Sequence, residues 1–264
     1  MPQIQSILGI KFVYHSMIFY NTDMKKTLLF ALILGTSLFT QAQGDYHDLL
    51  ELIVDEKYER CLQKSMRYIE SEKTSKEPLP YIYASMAYFR ISQGDNETVK
   101  TKYPKAFKNS IKYLVKHRKK DKKDEFVAEF TEYMSEVRAA IMESAELEIG
   151  NEKYTRAKGM YKYMTDIDSE DPGAWMMKGY SEHMMRSKKD ASLSWEEARR
   201  ILGERDFDSL QDEQKELLKR SIIITAETLD ETGDRDKAKE WLELGAPMFG
   251  EDKEFNVTYR MIVG

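Results

Sequence analysis

From residue 45 onward, apolar positions recur at intervals of three and four, and polar or glycine-containing breaks interrupt them every 12 to 20 residues. That spacing puts apolar side chains on one face of an α-helix, so the pattern predicts a succession of amphipathic helices. The chain has only six prolines and 13 glycines in 264 residues. Turn-dense β structure draws on more of both, so an all-α fold is expected.

The helical segments also resemble one another. Trp175 opens a helix just after Pro172, Gly179 follows four residues on, and Ala191, Trp195 and Ala198 follow at spacings of 12, 4 and 3. A Gly or Ala lets two helix backbones approach at a crossing, and a neighbouring aromatic fills the wedge beside it. On these residues the stretch resembles a tetratricopeptide repeat. It departs from that pattern at Lys178, where a large aliphatic is usual, and at Glu182, where an aromatic is usual. The same order returns upstream in Ile141, Ala145, Tyr154, Ala157 and Tyr161, and downstream in Ile222, Ala226, Leu229, Gly233, Ala238 and Leu242. Weaker copies contain Tyr58, Cys61 and Ser65, then Tyr83 and Ala87, with an insertion at residues 95–104 before the partner helix KAFKNSIKYLVKH.

A single helix pair cannot bury its own apolar face, and stacked neighbours complete a continuous core. The resemblance therefore implies an α-solenoid of about five antiparallel helix pairs, a tetratricopeptide-like superhelix over about residues 45–248. The tail from about 249 to 264 is expected to cap the last groove. The segment HRKKDKKDE, residues 117–125, reads as too charged to pack, and is expected to be the exposed start of a helix continuing through Phe126, Phe130 and Met134.

The first 42 residues stand apart. Met24, Lys25 and Lys26 precede the apolar run TLLFALILGTSLF and then TQAQG, which has the order of a secretory signal peptide with cleavage after Ala42. Residues 1–23 are read as an upstream misassigned start, residues 24–42 as the signal peptide and residues 43–264 as one helical-repeat domain of an exported, periplasmic or secreted protein. The apolar run is too short to cross a bilayer of roughly 30 Å, so no stable membrane insertion is expected after cleavage.

Charge then narrows the partners. Lys and Arg number 41 against 46 Asp and Glu, and without residues 1–42 the balance becomes 38 against 45, a net charge of −7. An acidic chain exerts no general pull on nucleic acid. The basic run Lys116 to Lys123 contains Asp121 and lacks interleaved aromatics for stacking bases, so it reads as a solvated helix face or loop. Cys61 is the only cysteine and reads as a small buried side chain.

Candidate chemistry is sparse. The four histidines, His15, His47, His117 and His183, form no HExxH pair, and there is no Gly-rich phosphate loop or Gly-flanked nucleophile elbow. No cofactor and no enzymatic activity is expected, although a hydrolase assembled from distant residues stays an alternative. Helical spacing places Met176, Tyr180, His183 and Met184 on one face. Met176, His183 and Met184 are thus a second alternative, a soft Cu(I) site in a periplasmic copper-binding protein. Methionine also fills irregular gaps between helices, and packing or a binding surface is the favoured reading.

The resemblance adds the location of that surface, since first helices of tetratricopeptide pairs line a concave groove for a protein or peptide. Carried over by register, the groove residues are Tyr81, Tyr88, Met142, Glu146, Met176, Tyr180, His183, Met184, Ile223 and Glu227. An aromatic and Met-rich strip rimmed by acids suits partners with basic or apolar segments.

Overall fold

The structure is a computed structural model that describes residues 46–264. The expected upstream start and signal peptide lie outside the described residues. Among those residues the chain is all-helical, with twelve helices packed on their neighbours. They are α1 (His47–Val54), α2 (Tyr58–Glu70), α3 (Leu79–Gln93), α4 (Glu97–Lys102), α5 (Ala106–Lys120) and α6 (Val127–Gly150). There follow α7 (Tyr154–Ile167), α8 (Pro172–Met184), α9 (Lys188–Glu204), α10 (Asp212–Glu231), α11 (Arg235–Phe249) and α12 (Lys253–Ile262).

Helix pairing follows the chain: α1 packs on α2, α3 on α5, α6 on α7, α8 on α9, and α10 on α11. The short α4 occupies the insertion that precedes α5. Further contacts link the pairs, α2 to α3, α7 to α8 and α8 to α10, and α12 closes against α10 and α11. None of the helices among the described residues is long and apolar enough to cross a membrane.

Four of the five pairs turn in the same way. The residue at the turn takes a left-handed backbone, with φ of 58° at Glu56, 56° at Glu152, 63° at Arg186 and 88° at Gly233. The next amide reaches back to close the helix end: Lys57 N to Leu52 O, Lys153 N to Glu148 O and Asp234 N to Leu229 O, each at 2.8 Å, and Ser187 N to Glu182 O at 2.9 Å. This bond from past the helix end to its last turn satisfies a carbonyl that would otherwise be orphaned. In each case a small residue follows five positions later: Cys61, Ala157, Ala191 and Ala238, all fully buried. The turn geometry thus repeats in register with the small packing residues.

Packing inside the α8–α9 pair rests on a close approach. A Cβ placed on Gly179 would lie 2.5 Å from Cδ1 and Nε1 of Trp195, so only glycine admits the indole there. Trp195 Nε1 donates to the Met176 carbonyl at 3.2 Å. The start of α8 is set by Asp171, whose carboxylate accepts from Ala174 N at 3.2 Å with Pro172 at the first helical position.

The core divides into two clusters. One runs from Tyr46 to α8 and takes in Met177, Tyr180 and Leu217. The other gathers Met176, Ala198, Leu218, Ile222, Leu242 and Phe255. Adjacent residues of α8 therefore serve different cores, which accounts for much of its methionine content: unbranched, polarisable side chains fit irregular gaps on both sides.

Residues 117–125 match the expectation of an exposed segment at residues 122–125, but they end one helix and turn toward the next without starting a helix themselves. His117 is fully buried and Asp121 is 4 % exposed. The His117 ring packs between Phe126 and Phe130, with centres 6.3 and 6.0 Å away. Asp121 accepts from the amides of Glu125 at 2.9 Å and Phe126 at 3.1 Å, so the chain breaks after α5 and restarts at α6. Charge density misled here because the only acid inside the lysine run turns inward, where it binds the amides of the connecting turn and lies near Arg118.

Candidate functional site

Of the ten residues expected to line one groove, Tyr81, Met176, Tyr180 and Ile223 are buried. Tyr81 donates its hydroxyl to the Ser75 carbonyl at 2.7 Å, and Tyr88 stacks on Tyr113 of α5 with ring centres 5.7 Å apart. Both rings fill the seam between α3 and its own partner helix. Met176 is completely buried, its sulfur accepting from Ser221 Oγ of α10 at 3.4 Å, and Tyr180 and Ile223 are buried too. The helix periodicity does place Met176 and Tyr180 on one face of α8, but α10 covers that face.

The rest of the strip is only partly open. Met142 and Met184 are half-buried against the first core. Glu146 is ion-paired with Arg220 of α10, and burial raises its pKa despite that partner. The His183 ring lies 5.5 Å from that of Trp195, and Glu227 accepts from Thr258 Oγ1 of α12 at 3.0 Å. The copper alternative loses its first ligand, because the Met176 sulfur is sealed and already bonded.

A different site forms where α6 outruns its neighbours. The repeat register aligns Ile141 with Trp175, so Arg138 corresponds to Pro172, the first residue of α8, and residues 127–137 are a prolongation. Phe130 and Tyr133 anchor it on α3: Phe130 meets Tyr83 edge-on at 6.1 Å, and the Tyr133 hydroxyl bonds Ser85 Oγ at 2.6 Å. Another face of α6 carries Val127, Thr131, Met134 and Ser135 of the prolongation and then Arg138, at helical spacings of three and four. These residues form one wall of a cleft of about 580 Å³. The rest of the lining comes from the segment leading into α8, the segment leading into α10 and the first turn of α10, including Asp168, Arg205, Glu213 and Gln214, together with Arg118 and Asp124.

Arg138 is the centre of the cleft's electrostatics. It is 4 % exposed, its Nη2 donates to Asp171, and its Nε lies 3.5 Å from a Glu213 oxygen. Burial alone would lower its pKa, but the carboxylates of Asp171, Asp168 and Glu213 outweigh burial and hold the guanidinium charged. Burial likewise pushes Asp168 up, and Arg138 and Arg205 more than reverse it, so that this carboxyl sits below its ordinary pKa. Gln214 Nε2 donates to Asp168 at 2.9 Å and Arg205 lies 3.3 Å from the same oxygen. Arg118 donates to the Ile167 carbonyl at 2.9 Å and to Asp124 at 2.8 Å.

Hydrogen bonding around the cleft is incomplete. Among the described residues, eight buried side-chain polar atoms have no hydrogen-bond partner, and three of them border this cleft: Arg118 Nη1, Arg138 Nη1 and Glu213 Oε1. Buried polar atoms are normally paired, and an unmet one costs on the order of 1–3 kcal/mol, more when it is charged. Two donors and an acceptor, each itself covered, thus belong to side chains that line one open volume. Comparison with family models finds no match to this chain, and comparison with curated proteins finds none either.

Proposed function

We propose that the chain is an exported helical-repeat scaffold of the tetratricopeptide-like α-solenoid type, which binds a protein or peptide partner and acts by binding rather than by catalysis. The repeated turns and the Gly179–Trp195 crossing support the repeat reading. The observation that carries partner binding is the cleft beside the prolonged α6, where Arg138 is buried with Nη1 unmet. A helix that overhangs its neighbours gains no core for its outer turns on the cleft side; it does gain a wall for a ligand. The volume falls in the roughly 300–1,000 Å³ range of binding pockets, with an apolar stretch from Val127 and Met134 and a few convergent polar groups.

Site-specific photo-crosslinking tests this reading in cells. A photoreactive residue replacing half-buried Thr131, in the cleft wall, is expected to capture a discrete protein band; the same residue at exposed Glu196 of α9 is the control. A band that appears equally from both positions, or from neither, refutes it. N-terminal sequencing of the exported chain checks the leader, and a mature protein beginning before Met24 refutes that part.

A further inference from the structure

We propose that the cleft beside α6 takes an extended peptide segment bearing a basic side chain, its backbone carbonyl received by Arg138 and its cationic head by Glu213. The inference rests on the peptide-binding reading above and deepens it. Three observations point to this chemistry.

The unmet donor Nη1 of Arg138, and that of Arg118 with only the Asp121 carboxylate 3.7 Å away, call for an acceptor. That acceptor is better neutral than anionic. Arg118, Arg138 and Arg205 line the cleft together with Asp124, Asp168, Glu170, Glu204 and Glu213, and Arg200 pairs with Glu170 and Glu204 from beside it, four cations against five carboxylates, with Asp171 fully buried behind Arg138 as a sixth acid. A carboxylate or phosphate entering this surplus of negative charge meets net repulsion at close range, whereas a peptide carbonyl does not. A carbonyl also leaves the existing Arg138–Asp171 bond in place, because it needs only the unused nitrogen.

The unmet acceptor, Oε1 of Glu213, calls for a donor. Its one cationic neighbour, Arg138 Nε at 3.5 Å, is beyond a good hydrogen bond. A Lys or Arg head placed there both bonds this oxygen and offsets the local excess of carboxylate.

The α6 wall has the matching apolar character. Val127 and Met134 lie one above the other on the cleft face of α6, suited to the methylene stem of a basic side chain whose head reaches the acids. A free zwitterionic amino acid supplies the same cationic head but presents a carboxylate where the peptide presents a neutral carbonyl, which the surrounding acids disfavour; the titration below separates the two.

The test is a titration of the whole protein with three acetylated and amidated pentapeptides, identical but for a central Arg, Gln or Glu, and with free arginine, each followed by amide chemical shifts of residues in α6 and at the start of α10. The expected order of affinity is Arg over Gln over Glu, with free arginine at least about tenfold weaker than the Arg peptide, and with the preference for Arg falling as salt rises. Glu213→Gln is expected to cut the Arg peptide's affinity about tenfold, the loss of one charge-assisted hydrogen bond, and to leave the Gln peptide within about twofold. Asp124→Asn, at a well-exposed carboxylate, is a second variant that keeps the fold and lowers the Arg preference by about twofold. Tighter binding of the Glu peptide, or an Arg preference unmoved by both variants, overturns this inference and leaves peptide binding standing. Equal binding of free arginine overturns the extended segment. No shift with any probe overturns both the inference and the assignment of this cleft to a peptide.

Discussion

The Gly179–Trp195 crossing makes a prediction whose sign runs against helix propensity. Alanine is preferred over glycine inside a helix by about 1 kcal/mol, and Gly179 lies inside α8, so propensity alone says that Gly179→Ala stabilises. The added Cβ, however, would stand 2.5 Å from two atoms of the Trp195 ring, against an optimum of about 3.5–4.0 Å. The indole is not free to withdraw. Its Nε1 is bonded to the Met176 carbonyl at 3.2 Å and its face meets the His183 ring at 5.5 Å. Parting α8 from α9 carries an overpacking cost of about 1–3 kcal/mol and also breaks that bond between the two helices, a further net loss of about 1 kcal/mol. Set against the propensity gain, the balance is a loss of about 2 kcal/mol.

Gly159 is the internal control. It lies in α7, and a Cβ there meets nothing within 4 Å, so Gly159→Ala is expected to gain about 1 kcal/mol. For a chain of this size 1 kcal/mol is worth roughly 2–4 °C in Tm. Thermal unfolding followed by circular dichroism should therefore place Gly159→Ala roughly 2–4 °C above the parent and Gly179→Ala roughly 4–8 °C below it. In a Trp195→Leu background the Gly179→Ala penalty should largely vanish, since the two residues are coupled by contact. If Gly179→Ala stabilises as much as Gly159→Ala, the close crossing is wrong, and with it the packing skeleton of this pair.

Glu152 and Arg186 are non-glycine residues held at φ of 56° and 63°, so Glu152→Gly and Arg186→Gly should each raise stability by about 0.5–1 kcal/mol in urea titrations; destabilisation by either would refute the turn geometry. Burial holds the His117 pKa below its ordinary value, with the Pro78 carbonyl and Asp121 opposing and Arg118 adding to the effect. A lowered folded pKa means that the unfolded chain takes up the proton first, so stability is full above about pH 6.5 and is lost as pH falls below it. His117→Gln should flatten that part of the stability curve, and an unchanged slope refutes the assignment. Burial pushes the Cys61 thiol up to about 12 and its sulfur is fully covered, so a thiol reagent near pH 8 should label it only at the rate of unfolding. Prompt labelling of the native protein would contradict that burial.

What the sequence shows is governed by which physical constraints leave a local mark. Close helix crossings demand particular residue types at fixed spacing, so Gly179, Ala191, Trp195 and Ala198 were readable as a packing unit, and the helical period followed from the apolar spacing. The four left-handed turns were readable only at Gly233, because Glu56, Glu152 and Arg186 take the same geometry without the residue type that usually announces it. Which face of a helix is open cannot be read from period at all. Met176 and Tyr180 share a face as expected, yet openness depends on α10, a helix that begins some thirty residues further on.

The same reasoning locates the one local signal that did mark the cleft. Met134, Arg138, Ile141 and Ala145 form a continuous buried stripe of α6, and arginine is the odd member. Stability does not account for it. Replacing a buried ion pair by apolar residues of like volume is often neutral or stabilising, and Asp171 already has work as the cap of α8 through Ala174 N. A guanidinium that pins α6 to the starts of α8 and α10, yet leaves Nη1 without a partner, therefore spends stability that the fold alone does not require. Departures of this kind from full hydrogen-bond satisfaction are expected where a ligand completes the set. An arginine inside an apolar helical stripe, facing an aspartate that caps a helix two elements later, is thus a more telling sequence feature than the conspicuous methionines of α8, whose spacing is explained by the two cores they fill.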